Sequence, residues 1–195
     1  MVGGRRRPGR PVVMAAATAV VVAAGAGLYW FQPWKIWQDE TVREDFPVVA
    51  GDATPGPSKG PSASPEPGAP SPSAPPAGPV TLATGSFVTH EHPTSGTVKI
   101  VRLPDGTRTL RLEGLDTSNG PDLRVWLTDA PVKEGKAGWH VFDDGKYQSL
   151  GKLKGNKGDQ NYALPEDIDL GAYSSVSIWC DRFDVSFGAA ELAPA

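Results

Sequence analysis

The residue best suited to chemistry in this chain is its single cysteine, Cys180. It stands in the run Val176-Ser177-Ile178-Trp179-Cys180-Asp181-Arg182. A thiolate is a nucleophile, a metal ligand and a redox group, whereas a thiol buried among apolar side chains is inert. Strand alternation puts Val176, Ile178 and Cys180 on one face. If that face is the core, Cys180 is a small buried hydrophobe with a raised pKa. Arg182, two residues on and nominally on the same face, would instead favour the thiolate. Phe183, Val185 and Phe187 follow in the opposite phase, which predicts a bulge or bend near Asp181-Arg182. A bulge can re-aim a side chain, and bulges are common beside functional sites. The residues alone leave both readings open: a redox thiol at Cys180, or a core cysteine.

A prosthetic group would need further ligands. The candidates are Cys180 and His92, with His90 and His140 as the remaining histidines. His90 and His92, at i and i+2, can share one face of a strand, which makes a weak ligand pair. Met1 and Met14 both lie at the N-terminus, so the C-terminal part offers no methionine axial ligand. There is no Cys-x-x-Cys-His, which excludes covalent attachment of a c-type haem. A haem or metal held by Cys180 and His92 therefore stays an option without a defined ligand set, and no dedicated metal site is predicted. The oxygen-rich run Asp116-Thr117-Ser118-Asn119-Gly120-Pro121-Asp122 fits a tight turn better than a cation cradle, because these residues are turn formers. Lys152, Lys154 and Lys157 read as a solvated basic loop. No Ser/His/Asp order, nucleotide loop or paired-carboxylate signature is present, so no classical enzyme is indicated.

These residues must be positioned by strands. Val98–Leu103 and Thr109–Leu112 flank Pro104-Asp105-Gly106, a hairpin signal because glycine accepts the positive φ of the turn. Leu123–Leu127 alternates apolar and polar except at Trp126. Asn161–Leu164, Ser175–Cys180 and Phe183–Phe187 are further strand candidates. No helical periodicity is sustained after residue 80. Strands at intervals of about 10 residues predict an all-β domain over 80–195, an antiparallel β-sandwich with a barrel-like alternative. A single cysteine permits no internal disulfide, so the core alone must hold the domain. From Val80 to Ala195 there are 12 Lys+Arg against 16 Asp+Glu, which argues against a nucleic-acid partner.

The first 79 residues are of another kind. Arg5, Arg6, Arg7 and Arg10 make residues 1–10 a basic tail. An uncharged run of about 20 residues follows within 11–32, long enough for a transmembrane signal-anchor helix. Its basic head predicts a cytoplasmic N-terminus and a C-terminal domain outside the cytoplasm, at the cell membrane. Cleavage as an export signal is the rival. Tyr29, Trp30, Phe31, Trp34 and Trp37 close the run as interfacial aromatics do. The bilayer is thus an expected partner through 11–32, beside an envelope protein or redox partner. Residues 33–50 read as a juxtamembrane helix or coil. Residues 51–79 hold 10 prolines in 29 positions and predict a disordered stalk reaching up to roughly 90 Å.

Several motifs of the last 116 residues agree with one family. Gly85-Ser86-Phe87, His92-Pro93 and Ser95-Gly96-Thr97 open the domain. Ser118-Asn119-Gly120-Pro121-Asp122-Leu123 occupies its middle. Then come Leu150 to Gly158, Gln160-Asn161-Tyr162, Val176 to Cys180, and Phe187-Gly188-Ala189-Ala190. In order and spacing this resembles the DM13 domain family over almost all of 80–192. The resemblance implies a β-sandwich module on extracellular or membrane-bound proteins. It also implies a part in electron transfer, through a cysteine acting as a free thiol or as ligand to a group such as haem. Cys180, in Ile178-Trp179-Cys180, occupies that cysteine's place. A non-catalytic binding or adhesion module of the cell envelope, with Cys180 as core, is the competing expectation.

Overall fold

A computed structural model describes residues 9–47 and 78–195. The tail before Gly9 and most of the expected stalk lie outside the described residues. Helix α1 runs from Arg10 to Phe31. Pro11 sits in its first turn, where the missing N–H costs nothing. Gln32 ends it in a left-handed conformation, its N–H donating to Leu28 O. At 22 residues the helix is about 33 Å long, and no residue of it is buried against protein. It is long and apolar enough to cross a membrane. A 3-10 turn over Pro33–Trp37 follows.

Ten strands complete the structure: β1 Thr41–Arg43, β2 Val80–Thr89, β3 Ser95–Arg102, β4 Arg108–Asp116, β5 Leu123–Thr128, β6 Tyr147–Lys152, β7 Lys157–Ala163, β8 Ser175–Cys180, β9 Val185–Glu191 and β10 Ala193–Pro194. They form one curled sheet in the order β1-β7-β4-β3-β2-β9-β8-β5-β6, with β10 beside β2. Every pairing is antiparallel except β1 with β7. β2 is the corner. Its first part, Val80–Ser86, pairs with β3, and Phe87–Thr89 pairs with β9. The all-β expectation holds, and the two leaves face each other as in a sandwich. They are nevertheless a single sheet, which gives the barrel-like alternative equal standing. Val98, Ile100, Leu110 and Leu112 from one leaf meet Val125, Leu127, Val176, Ile178 and Phe187 from the other.

The Asp105-Gly106 turn forms as its chemistry requires. Gly106 has φ +87, and Asp105 Oδ1 accepts from the Thr107 N–H at 2.9 Å and from its hydroxyl at 2.6 Å. A second apolar layer lies outside the β5-β8-β9 leaf. There the long loop between β5 and β6 covers Trp126, Trp179 and Ala189 with Phe142 and Ala130. This layer explains why Trp126 broke the alternation of its strand.

The segment after α1 is part of the sheet. Its expected reading as membrane-surface helix or coil fits only the 3-10 turn. β1 lies parallel to β7, with Thr41 opposite Lys157 and Arg43 opposite Asp159. Asn156, 1% exposed, donates to Asp39 Oδ1 and Thr117 O and accepts from the Glu40 N–H at 2.7 Å. Buried Arg111 donates to the Glu44 and Asp45 carbonyls at 3.1 and 3.0 Å. Lys154 reaches Glu44 at 2.7 Å. Gly158, at φ +93, lets β1 approach: a Cβ there would stand 2.0 Å from Val42 O. All these partners lie more than 60 residues from the segment they hold, so local pattern could not reveal the strand.

Candidate functional site

Cys180 ends β8, opposite Leu123 of β5 and Val185 of β9. Its side chain is fully buried in the main core. The alternation of β8 therefore puts it with Val176 and Ile178 on the inner face, as the core reading expects. Burial pushes its thiol pKa up, and the negative charge of Glu91 adds to this. The backbone N–H groups of Arg182, Phe183 and Asp122 act in the opposite direction but do not overcome burial.

One local expectation needs correction. The Arg182 side chain does not serve the thiol. Its guanidinium donates to Trp30 O at 2.5 Å and lies over the Trp30 ring at 4.6 Å. The bulge or bend expected near Asp181-Arg182 is the hairpin turn Asp181–Asp184, where Asp184 takes φ +50. A bulge also lies on the facing strand, opposite Ile178 and Trp179, where Ile178 pairs Gly188 and Trp179 pairs Ser186. The residue left over, Phe187, keeps Val185, Phe187 and Ala190 all on the core face. Gly188 makes this feasible, because a Cβ there would stand 2.6 Å from Thr94. The Thr94 hydroxyl anchors the bulge by donating to Phe187 O at 2.9 Å.

The three histidines go to three places. His90 is buried beneath the β5–β6 loop, its ring stacked on Phe142. Its Nε2–H donates to Lys133 O at 3.0 Å, so Nδ1 accepts from Ser186 Oγ at 2.8 Å. Ser177 donates to the same Ser186 oxygen at 3.0 Å. Burial depresses the His90 pKa, and the Lys133 carbonyl offsets part of that. His92 turns the other way. Its ring packs on Phe187 with centroids 4.0 Å apart, and its Nε2 is 3.7 Å from Glu91. It lines a cavity of about 350 Å³ with Glu91, Pro121, Phe183, Phe187 and Phe31 of α1. His140 is exposed and donates to Asp184 O at 2.6 Å. The expected shared face of His90 and His92 is not formed, because the chain bends after Thr89.

This arrangement tests the haem or metal option. His92 opens onto the cavity, but Cys180 is not one of its walls. Among the described residues no three His, Cys, Asp or Glu side chains cluster as metal ligands. Among the described residues, Cys180 and His92 do not line one cavity and so do not fit as a shared ligand pair for haem or metal. The other candidates are also accounted for. Asp116 pairs with Lys157 and Asp122 with Arg124, so the oxygen-rich run is a turn with ion pairs. Lys154 and Lys157 face Glu44 and Asp39, which neutralises the basic loop.

A line of aromatic side chains was not foreseen. Tyr147, Trp126 and Trp179 sit on β6, β5 and β8, diagonal to one another across three adjacent strands. Tyr147 and Trp126 stack with centroids 4.1 Å apart and planes 9° from parallel. Trp126 and Trp179 follow at 4.9 Å and 21°. The only sequence signal was the apolar residue at an outward position, Trp126.

Compared with known proteins, the chain matches one family model, described as Electron transfer DM13, over residues 86–192. No curated protein and no solved structure matches it.

Proposed function

The chain belongs to the DM13 family, and from that premise we propose that it is a redox-related module tethered to a membrane, with Cys180 as its redox group. The observation that carries the reading is the family match, described as electron transfer, over a domain with one thiol. In this reading α1 is an uncleaved anchor. Arg10 and the basic residues before it stay in the cytoplasm, and the β domain lies outside. A lone thiol in an oxidising compartment needs protection from unselective chemistry. Complete burial and a raised pKa supply it, because the thiolate is the form that reacts with disulfides and peroxides. Oxidation of the thiol sends one electron to the oxidant and its proton to solvent, leaving a thiyl radical, and neither transfer needs the open path that a bulky reagent does.

The test separates access from electron transfer. The full chain in detergent is treated with a bulky thiol reagent and, separately, with a one-electron oxidant, and the remaining thiol is titrated after denaturation. The reading expects resistance to the reagent and loss of thiol to the oxidant while the fold persists. Loss of thiol only in step with global unfolding would defeat it.

One observation favours a second reading. Cys180 is 0% exposed and packed against Val176, Ile178 and Val185, as a core residue would be. The protein is then a non-catalytic β module binding an envelope partner. Cys180→Ala would lower stability by about 1–3 kcal/mol and change nothing else.

A further inference from the structure

We propose that Tyr147, Trp126 and Trp179 form a one-electron relay between the surface of the domain and the interior beside Cys180. The proposal rests on the redox reading above and gives it a route. Phenol and indole are the aromatic side chains that lose an electron most readily, and the line contains only these. Its outer end is open: Tyr147 is 47% exposed. Its inner members are 4% and 1% exposed. Trp179 is the residue directly before Cys180, although its ring lies on the opposite face of β8.

The Tyr147 ring is held nearly parallel to the Trp126 indole while its outer edge stays open to solvent. Among the described residues the Trp126 Nε1–H has no hydrogen-bond partner, whereas a buried indole N–H normally finds one. No described protein group is thus placed to take its proton when the ring is oxidised to the radical cation. An electron can then pass through it with no proton transfer at that site.

The step balances as follows. A one-electron acceptor docked at the exposed edge of Tyr147 takes one electron, and the phenolic proton leaves to water. An electron from Trp126, with a proton from water, restores the phenol and leaves the Trp126 radical cation. An electron from Trp179 restores Trp126. One electron has then gone to the acceptor, and one positive charge resides on Trp179. The chemical partner is thus a one-electron acceptor or donor that approaches the β6 face.

The test uses photogenerated tris(bipyridine)ruthenium(III) on the full chain in detergent micelles, with peptide mapping of oxidised residues. Wild type is expected to show oxidation at Trp179 despite its burial. Trp126→Phe, which keeps the ring stack, is expected to lose it, and Tyr147→Phe to reduce it. Cys180→Ala is expected to keep it, so an inert thiol would leave the relay standing. Conversely, thiol oxidation that is undiminished in Trp126→Phe would remove the relay and leave the redox reading. Near-ultraviolet circular dichroism checks each fold. If Trp126→Phe does not fold, Tyr147→Phe at the exposed end decides. Trp179 left unmodified in native Cys180→Ala, or equal modification when the line is cut, overturns the proposal.

Discussion

At the scale of single residues, His90 gives a measurable signature of the second layer. Its ring is held neutral by burial, between the Lys133 carbonyl and the Ser186 hydroxyl. In the unfolded chain the same ring takes up a proton near its ordinary pKa of 6.5. Below that pH the unfolded state binds more protons than the folded one, so stability is lost as pH falls from about 6.5 towards the depressed folded value. Denaturant midpoints should drop between pH 7 and pH 5, and His90→Gln should flatten that drop. An unchanged slope in the variant would remove His90 as its cause. At lower pH the carboxylates take over. For Glu44 and Glu113 burial opposes ionisation, but hydrogen bonds from Lys154 and the Asn161 N–H, and from Lys99 and Arg111, hold both below the usual glutamate range. Their contribution is present above pH 4.5 and lost below it.

At the scale of elements, the short strand β1 matters most, since it lies outside the matched residues 86–192 and still completes the sheet edge. Without it β7 would present unpaired backbone, which is where sheets aggregate. Gly158→Ala combines a positive φ with a clash against Val42 O. It should cost about 1–3 kcal/mol and speed amide exchange at Val42 and Glu44. Unchanged protection of those amides would show that β1 is not held as described. The central strands were legible in the sequence: period-2 alternation gave β8 to the residue, and Asp105-Gly106 gave the β3–β4 turn. What was not legible depended on distant partners. β1 is fixed by Arg111, Asn156 and Gly158, and the bulge at Phe187 by Thr94. The site followed the same rule. Cys180 and His92 were both named from the sequence, but the packing of His92 on Phe187, beside a cavity that Cys180 does not line, is a property of the fold.

At the scale of the whole molecule, both flanks of residues 48–77 are fastened to one sheet. Phe46 lies under Arg111, and Val80 pairs with Arg102. From Gln32 to Glu40 the chain has nine residues, which span at most about 30 Å. If α1 crosses a bilayer, that short span sets the height of the domain, and the Pro-rich segment does not. Shortening 51–77 should leave energy transfer from a dye at position 152 to a headgroup dye unchanged. A marked rise in transfer would restore the segment as a spacer. A domain held close to the bilayer would meet redox partners at the membrane face.

The central claim is that Cys180 is a redox group reached by electrons in the folded state. The most direct measurement is the fraction of Cys180 thiol remaining after a one-electron oxidant acts on the native full chain, with unfolding followed in the same sample. The account predicts loss of thiol while near-ultraviolet circular dichroism stays native. A thiol that survives until the fold is lost would contradict it and make Cys180 a core residue alone.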